Sequence, residues 1–290
     1  MPLVPTLVES PLAPRSSLLA MALLALLPRP CAADALGELE QAWQSLFDKA
    51  APSVVFIAAG DHFGSGFAVG KTGLILTNEH VIHGQVDVQV VLVDGKRLAG
   101  KVAEVASDDV DLALVQVPAG AVPGLDFGAT SHVRIGSWAA AIGHGAGGIW
   151  TFTSGMITNI YSSGRDRTVF QTQIPINPGN SGGPILDRHG RALGVATAVL
   201  QGASNIAFGI RIERAVQTLE KMADACEECL VVKAPPGVPV LVDGQMLGKG
   251  RVAFFATAKT YDVMAVVNGQ MRRKSIAFPA ARRVDLTTGP

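Results

Sequence analysis

The spacing of apolar positions changes several times along the chain, and each change predicts a different kind of element. From Asp34 to about Ala50, Leu36, Leu39, Ala42, Trp43, Leu46 and Phe47 recur at three- and four-residue intervals, which predicts a helix ended by Pro52. Short apolar runs bounded by turn residues follow: Ser53 to Ala58, Gly66 to Val69, Gly73 to Thr77, Val86 to Val93, Val102 to Val105 and Leu112 to Val117. Six such runs with no helix between them predict an antiparallel barrel or sandwich. A second series repeats the pattern at Ser137 to Ile142, Thr151 to Ile160, Thr168 to Gln173, Gly183 to Leu186, Ala192 to Leu200 and Ile206 to Ile210. Helical spacing returns from Ile212 to about Ala225, with Ala215, Leu219 and Met222 on one stripe. Beyond Val232 a smaller β-unit begins, with strand runs near Val240, at Arg251 to Ala256, Tyr261 to Val267, Ser275 to Phe278 and Arg283 to Leu286, which predict a small β-sandwich over 232–290.

Composition agrees with an all-β chain. The 290 residues suit two or three compact units, and 48% apolar residues with 32 glycines fit many tight turns. Net charge is zero, but it is divided unevenly. Residues 34–229 carry 13 Lys/Arg against 20 Asp/Glu, whereas 230–290 carry 9 against 3. The change of sign supports a domain boundary and an anionic partner for the tail, through Arg272-Arg273-Lys274 and Arg282-Arg283, with a solvated face as the plainer reading. At the N-terminus, Arg15 precedes an 11-residue apolar run, Ser17 to Leu27, and Cys31-Ala32-Ala33 offers small residues for cleavage. Residues 1–33 therefore read as a signal peptide, too short to span a bilayer of roughly 30 Å, and the mature chain as secreted or periplasmic. Cys226 and Cys229 then remain, too few for a zinc site and better read as a short-range disulfide.

The candidate chemistry centres on Gly179-Asn180-Ser181-Gly182-Gly183. A serine hydroxyl needs a base to take its proton, a group to orient that base, and donors for the oxyanion. Glycines around Ser181 permit a tight turn, so the amides of Gly179 and Ser181 can converge. The base candidate is His80, just past the apolar run Leu74 to Thr77, with His83 as its nearest rival. His62, His132, His144 and His189 read as surface or loop residues. The orienting acid is Asp111, which opens an apolar run, with Asp108 and Asp109 as alternatives in a more exposed turn. The order His80, Asp111, Ser181 is the chymotrypsin order, with the first two on one β-series and the serine on the other. The glycine-rich stretch 143–148 lacks a following Lys-Ser/Thr and reads as a loop, not a phosphate cradle.

These pieces resemble the HtrA/DegP-type trypsin-like proteases from roughly Leu39 to Met222. The matching segments are Gly64-Ser65-Gly66-Phe67, Leu76-Thr77-Asn78-Glu79-His80-Val81, Asp111-Leu112-Ala113, Ala141-Ile142-Gly143, Thr153 to Ile157, the serine segment and Asn205 to Ile210. The resemblance implies a protease domain over 34–228, built as two six-stranded antiparallel β-barrels (about 51–125 and 130–211) with a closing helix at 212–225. It implies endopeptidase activity on unfolded or damaged envelope proteins, without cofactor or metal, through His80, Asp111 and Ser181. Gly179, Asn180 and Ser181 would form the oxyanion hole. Pro175 and Ile176 would line a specificity pocket with no acidic floor, suited to small or medium apolar side chains, and Ala196, Thr197 and Ala198 would pair with a polypeptide substrate. Trimers are usual in that family, and Trp43 and Phe47 are candidate contacts for a homo-trimer. No nucleic-acid partner is implied. Where that family usually carries a PDZ domain, the tail from Val232 resembles a PEGA-type β-domain, in Pro235 to Gly244 and Leu247-Gly248-Lys249-Gly250.

Overall fold

The structure, a computed structural model, describes residues 32–106, 110–145, 150–161, 168–199, 206–225, 229–256 and 258–288. The first helix, α1 (Ala32–Ala50), starts slightly before the predicted stretch. Its apolar stripe is used unevenly: Leu36 and Leu39 are exposed, while Leu46 and Ala50 are buried in the protein core. From Ser45 onward the chain forms one compact unit.

Six strands follow: β1 (Val54–Ala59), β2 (His62–Val69), β3 (Leu74–Thr77), β4 (Asp87–Val91), β5 (Arg97–Val105) and β6 (Ala113–Gln116). They close into an antiparallel barrel in the order β1-β2-β3-β6-β5-β4, sealed by pairing of β1 with β4. Strand β3 explains why these runs lack clean alternation. Ile75 points into the barrel interior with Val55, Ile57, Val90 and Val115, while Leu74 and Leu76 join a second cluster that reaches the other barrel. Both faces of the strand are buried, so both must be apolar.

A second closed barrel comprises β7 (Trp138–Gly143), β8 (Thr151–Ile160), β9 (Val169–Thr172), β10 (Pro184–Leu186), β11 (Ala192–Val199) and β12 (Ala207–Arg211), in the order β10-β11-β12-β9-β8-β7. Ala139, Ala141, Ile157, Phe170, Ile185 and Ala207 fill its interior. Between the barrels lie Phe67, Leu76, Leu114, Ile142, Leu186 and Val195, packed with Leu46 of α1 and Ile212 and Ala215 of the closing helix. Each fully buried aliphatic side chain there is worth about 1.5–3 kcal/mol relative to exposure. That shared core holds the facing ends of the two barrels together.

A single residue after β3, Asn78, leads into a short helix, α2 (Glu79–Ile82), which the sequence pattern did not single out. Helix α3 (Ile212–Ala225) closes the second barrel as expected. The tail holds more strands than the sequence pattern predicts: β13 (Cys229–Lys233), β14 (Pro239–Val242), β15 (Gln245–Lys249), β16 (Arg251–Phe255), β17 (Thr260–Val267), β18 (Gln270–Ala277) and β19 (Arg283–Asp285). They make a three-stranded sheet, β16-β13-β19, and a four-stranded sheet, β15-β14-β17-β18, which share one core around Val232, Val240, Phe254, Tyr261 and Val263. The tail sheets thus begin before Val232. Strand β13 is apolar and buried from Cys229 to Val232, ending at the exposed Lys233, because it is the central strand of its sheet, antiparallel to β16 and parallel to β19. Strand β15 is not among the predicted runs: Gly248 lies inside it and Gly250 follows it, so its alternation is hard to see in the sequence. The tail meets the first barrel at a backbone hydrogen bond from Lys71 N–H to Leu247 O, 2.9 Å. Cys229 is disulfide-bonded, and Cys226 lies outside the described residues.

Candidate active site

His80 and Asp111 of the first barrel meet each other and Thr197 of the second, the residue whose carbonyl the Ser181 hydroxyl approaches. His80 sits in α2, whose first turn carries the imidazole away from the end of β3. Its Nδ1 lies 2.8 and 3.0 Å from the two carboxylate oxygens of Asp111, and its backbone N–H donates to Asp111 Oδ1 at 3.1 Å. Asp111, just before β6, is half-buried, more open than the sequence pattern implied. Thr197 of β11 adds a short hydrogen bond from its hydroxyl to Asp111 Oδ2, 2.6 Å. The buried Asn78 amide donates to the Asp111 carbonyl at 2.6 Å and fixes the backbone. The competing acids Asp108 and Asp109 lie outside the described residues, and His83 pairs with Glu79 on the exposed side of α2.

The electrostatics follow from these contacts. The hydrogen bond to Asp111 raises His80 above the ordinary imidazole value, against the opposing effect of burial. Burial alone would raise the Asp111 carboxyl, but hydrogen bonds from His80 and Thr197 outweigh it and hold the group below the usual carboxylate range. The pair therefore keeps Asp111 ionised and makes the His80 imidazole a stronger base.

Ser181 stands on the turn before β10, in the second barrel. Its hydroxyl donates to Thr197 O at a long 3.4 Å, and no hydrogen bond joins it to His80 among the described residues. Its carbonyl accepts from Ser65 N–H of β2 at 2.8 Å, which ties the Ser181 turn to the first barrel. Gly182, at φ +84°, has no room for a side chain: a Cβ would run into the Ser65 and Thr77 oxygens. Gly179 takes φ +99° and packs against the His144 carbonyl. Among the described residues, the N–H groups of Gly179 and Ser181 have no acceptor. The Asn180 N–H does, donating to Asn177 O at 2.9 Å. Of the three amides expected at the oxyanion hole, Asn180 is therefore spent inside its own loop, and its side chain accepts from Thr151 at 3.1 Å instead.

The expected substrate-binding residues divide. Pro175 is exposed, but Ile176 and Ala196 are buried in the core of the second barrel, so they shape a wall from behind. Thr197 serves the triad candidates as well as the strand edge, and the side chain of Ala198 lies outside the described residues. Phe47 lies edge-on to Phe152 with centroids 6.2 Å apart, so its ring is used within its own chain. In the tail, Arg273 is ion-paired with Asp262 at 2.7 Å, which takes one positive charge from the sequence count, while Lys274 donates to the Asp285 carbonyl at 2.9 Å and keeps its charge unpaired there.

The largest correction is His144. Read as a surface or loop residue, it does lie outside helix and strand but is 1% exposed, enclosed by Trp150 and Phe56 with ring centroids 3.9 and 5.2 Å away. Burial pushes its imidazole down to about 4. The sequence signal for burial was the apolar run Ala139 to Ile142 just before it, which the glycines after it masked. The rest of that glycine loop, 146–149, lies outside the described residues.

Residues 64–195 match the family model of the trypsin-like peptidase domain. A Synechocystis protein named as the serine protease HhoA is 41% identical over 162 residues, covering 52% of this chain and 41% of that protein. A DegP-like periplasmic serine endoprotease of Hahella chejuensis is 35% identical over 171 residues, covering 56% of this chain and 35% of that protein. The chain thus spans less than half the length of these relatives. The crystal structure of a serine endoprotease from Yersinia pestis superposes with a TM-score of 0.58 over 81% of this chain and 96% of that one, at 23% identity, which establishes the shared fold.

Proposed function

We propose that this chain, whose peptidase domain is similar to HtrA/DegP-type serine proteases, is an exported serine endopeptidase that cleaves unfolded or damaged envelope proteins. The observation that carries the reading is the His80–Asp111 pair, braced by Thr197 from the opposite barrel within reach of the Ser181 turn. In this reading the Ser181 hydroxyl leaves its long contact with Thr197 O and turns to His80 Nε2, which takes the proton as the oxygen attacks the scissile carbonyl. The new C–O bond makes a tetrahedral oxyanion that the Gly179 and Ser181 amides receive. His80 then returns the proton to the leaving amine as the C–N bond breaks. Water repeats the sequence on the acyl-enzyme, with His80 as base and Ser181 as leaving group.

Pro175 and the apolar wall of Ile176 and Ala196 favour a small or medium apolar side chain before the scissile bond, and the Ala196 to Ala198 edge would take the peptide as an added strand. The apolar run at 17–27 and the periplasmic names of relatives support export, and the basic edge strand β18 supports an anionic envelope partner for the tail, residues 232–290. Similarity to HtrA/DegP proteases also supports a homo-trimer. A second reading, a silent protease-fold binding or chaperone-like protein tethered by its tail, is favoured by one observation: the Ser181 hydroxyl bonds to Thr197 O and not to His80. Cleavage of peptides bearing Ala, Val or Asp before the scissile bond, wild type against Ser181→Ala, separates the readings. Cleavage after Ala or Val that vanishes in Ser181→Ala supports the protease, and equal rates sink it.

A further inference from the structure

One fully buried polar cluster beside the nucleophile turn has no part in the chemistry above. Ser65 of β2 is 0% exposed, and its hydroxyl oxygen meets three groups. It donates to Gly179 O at 2.7 Å, accepts from His144 N–H at 3.0 Å, and lies 3.1 Å from His144 Nδ1. A hydroxyl has one proton, and a carbonyl oxygen can only accept, so that proton belongs to the bond with Gly179 O. His144 Nδ1 must then carry its own proton and donate it to Ser65 Oγ. The other ring nitrogen, Nε2, is left as a bare lone pair, and it is indeed buried without a hydrogen-bond partner among the described residues.

The position of Gly179 O gives this cluster its consequence. The peptide group joining Gly179 to Asn180 lies between the two candidate oxyanion donors, Gly179 N–H on one side and Ser181 N–H on the other. Its carbonyl is held by Ser65 and its N–H by Asn177 O, so the plane is clamped at both ends. We infer that Ser65 and His144 are positioning residues that lock this peptide plane and so aim the two flanking amides, with His144 acting as the tautomer protonated on Nδ1. The low basicity of the buried ring agrees, because a second proton on Nε2 would be buried with no acceptor among the described residues. The inference rests on the reading of Ser181 as nucleophile, and one of its tests does not.

Steady-state kinetics of the full chain on a cleaved peptide provide the first test. Misplacing the oxyanion amides should lower kcat about 100-fold in Ser65→Ala, with KM changed less than about threefold. His144→Phe should lose kcat in the same way, and His144→Asn, whose amide N–H stands near the Nδ1 position, should recover at least about tenfold of that loss. A kcat for Ser65→Ala within about threefold of wild type overturns the inference. So does His144→Asn falling as low as His144→Phe. The second test is nitrogen-15 NMR of the histidine rings in the unmutated chain, which needs neither activity nor a variant that folds. Protonation on Nδ1 of His144 is the expected result, and protonation on Nε2 overturns the inference. If wild type and Ser181→Ala cleave equally, the endopeptidase reading fails while the tautomer measurement still decides the arrangement of the clamp.

Discussion

Acid should weaken this fold through His144, and by an amount that can be worked out. The unfolded imidazole titrates near 6.5, whereas the buried ring is held at about 4. A folded value below the unfolded one means that the unfolded chain binds the extra proton first. Stability is therefore intact above 6.5, falls as pH drops through the window from 6.5 to about 4, and levels below it. The whole gap corresponds to about 3.4 kcal/mol, of which about 2.4 kcal/mol is lost between pH 7 and 4.5. Asp111 and Asp187 are held below the carboxylate value of 3.8, so their contributions fade at lower pH and are common to both proteins compared. The assay is urea unfolding followed by tryptophan fluorescence at pH 7 and pH 4.5, on wild type and His144→Asn. Wild type should lose about 2–3 kcal/mol more than the variant over that interval, read from midpoints at equal slope. Equal losses in the two proteins would refute the reasoning, because no buried neutral imidazole would then be resisting its proton.

Other consequences follow from the same geometry. Raised by Asp111, His80 must lose its proton to act as a base, so kcat/KM should climb with pH through an inflection above 6.5; an inflection below that value contradicts the pairing. Asp111→Asn should cut kcat about 10⁴-fold by removing the group that fixes the imidazole tautomer, with peptide KM little changed. Thr197→Val removes a charge-assisted hydrogen bond worth about 1.5–3 kcal/mol, and kcat/KM should fall roughly tenfold or more, measured on the same peptide. Gly182→Ala combines a φ of +84° with a clash against two oxygens, and should cost more than about 2 kcal/mol in urea unfolding.

Most of the barrel architecture was legible because strands buried on both faces leave short apolar runs between turn residues, as β3 does at Leu74 to Thr77. The tail was harder to read. Strand β13 begins within Cys226-Glu227-Glu228-Cys229 and is not among the predicted runs, and β15 holds a glycine that breaks its alternation. His80, Asp111 and Ser181 stand out as candidates because each sits at the edge of an apolar run in a fixed order, and the His80–Asp111 contact is the part of that arrangement seen in the structure. Contacts between β-series were not legible. Thr197 was read as a strand-edge residue since nothing local says its hydroxyl faces Asp111, 86 positions away. Ser65 and His144 are 79 positions apart, and the glycines beside His144 give no sign that its ring is buried. The fate of the Asn180 amide depends on the shape of a turn, which residue types permit but do not specify.

The role of Ser181 as nucleophile is tested most directly by active-site labelling. Wild type and Ser181→Ala are incubated with a fluorophosphonate, intact mass and peptide mapping locate the adduct, and casein cleavage is followed in parallel. The account predicts one adduct per chain, on Ser181, and loss of both label and cleavage in Ser181→Ala, the turnover falling by up to about a millionfold as for nucleophile loss in subtilisin. Labelling at another residue, or casein cleavage undiminished in Ser181→Ala, would contradict it.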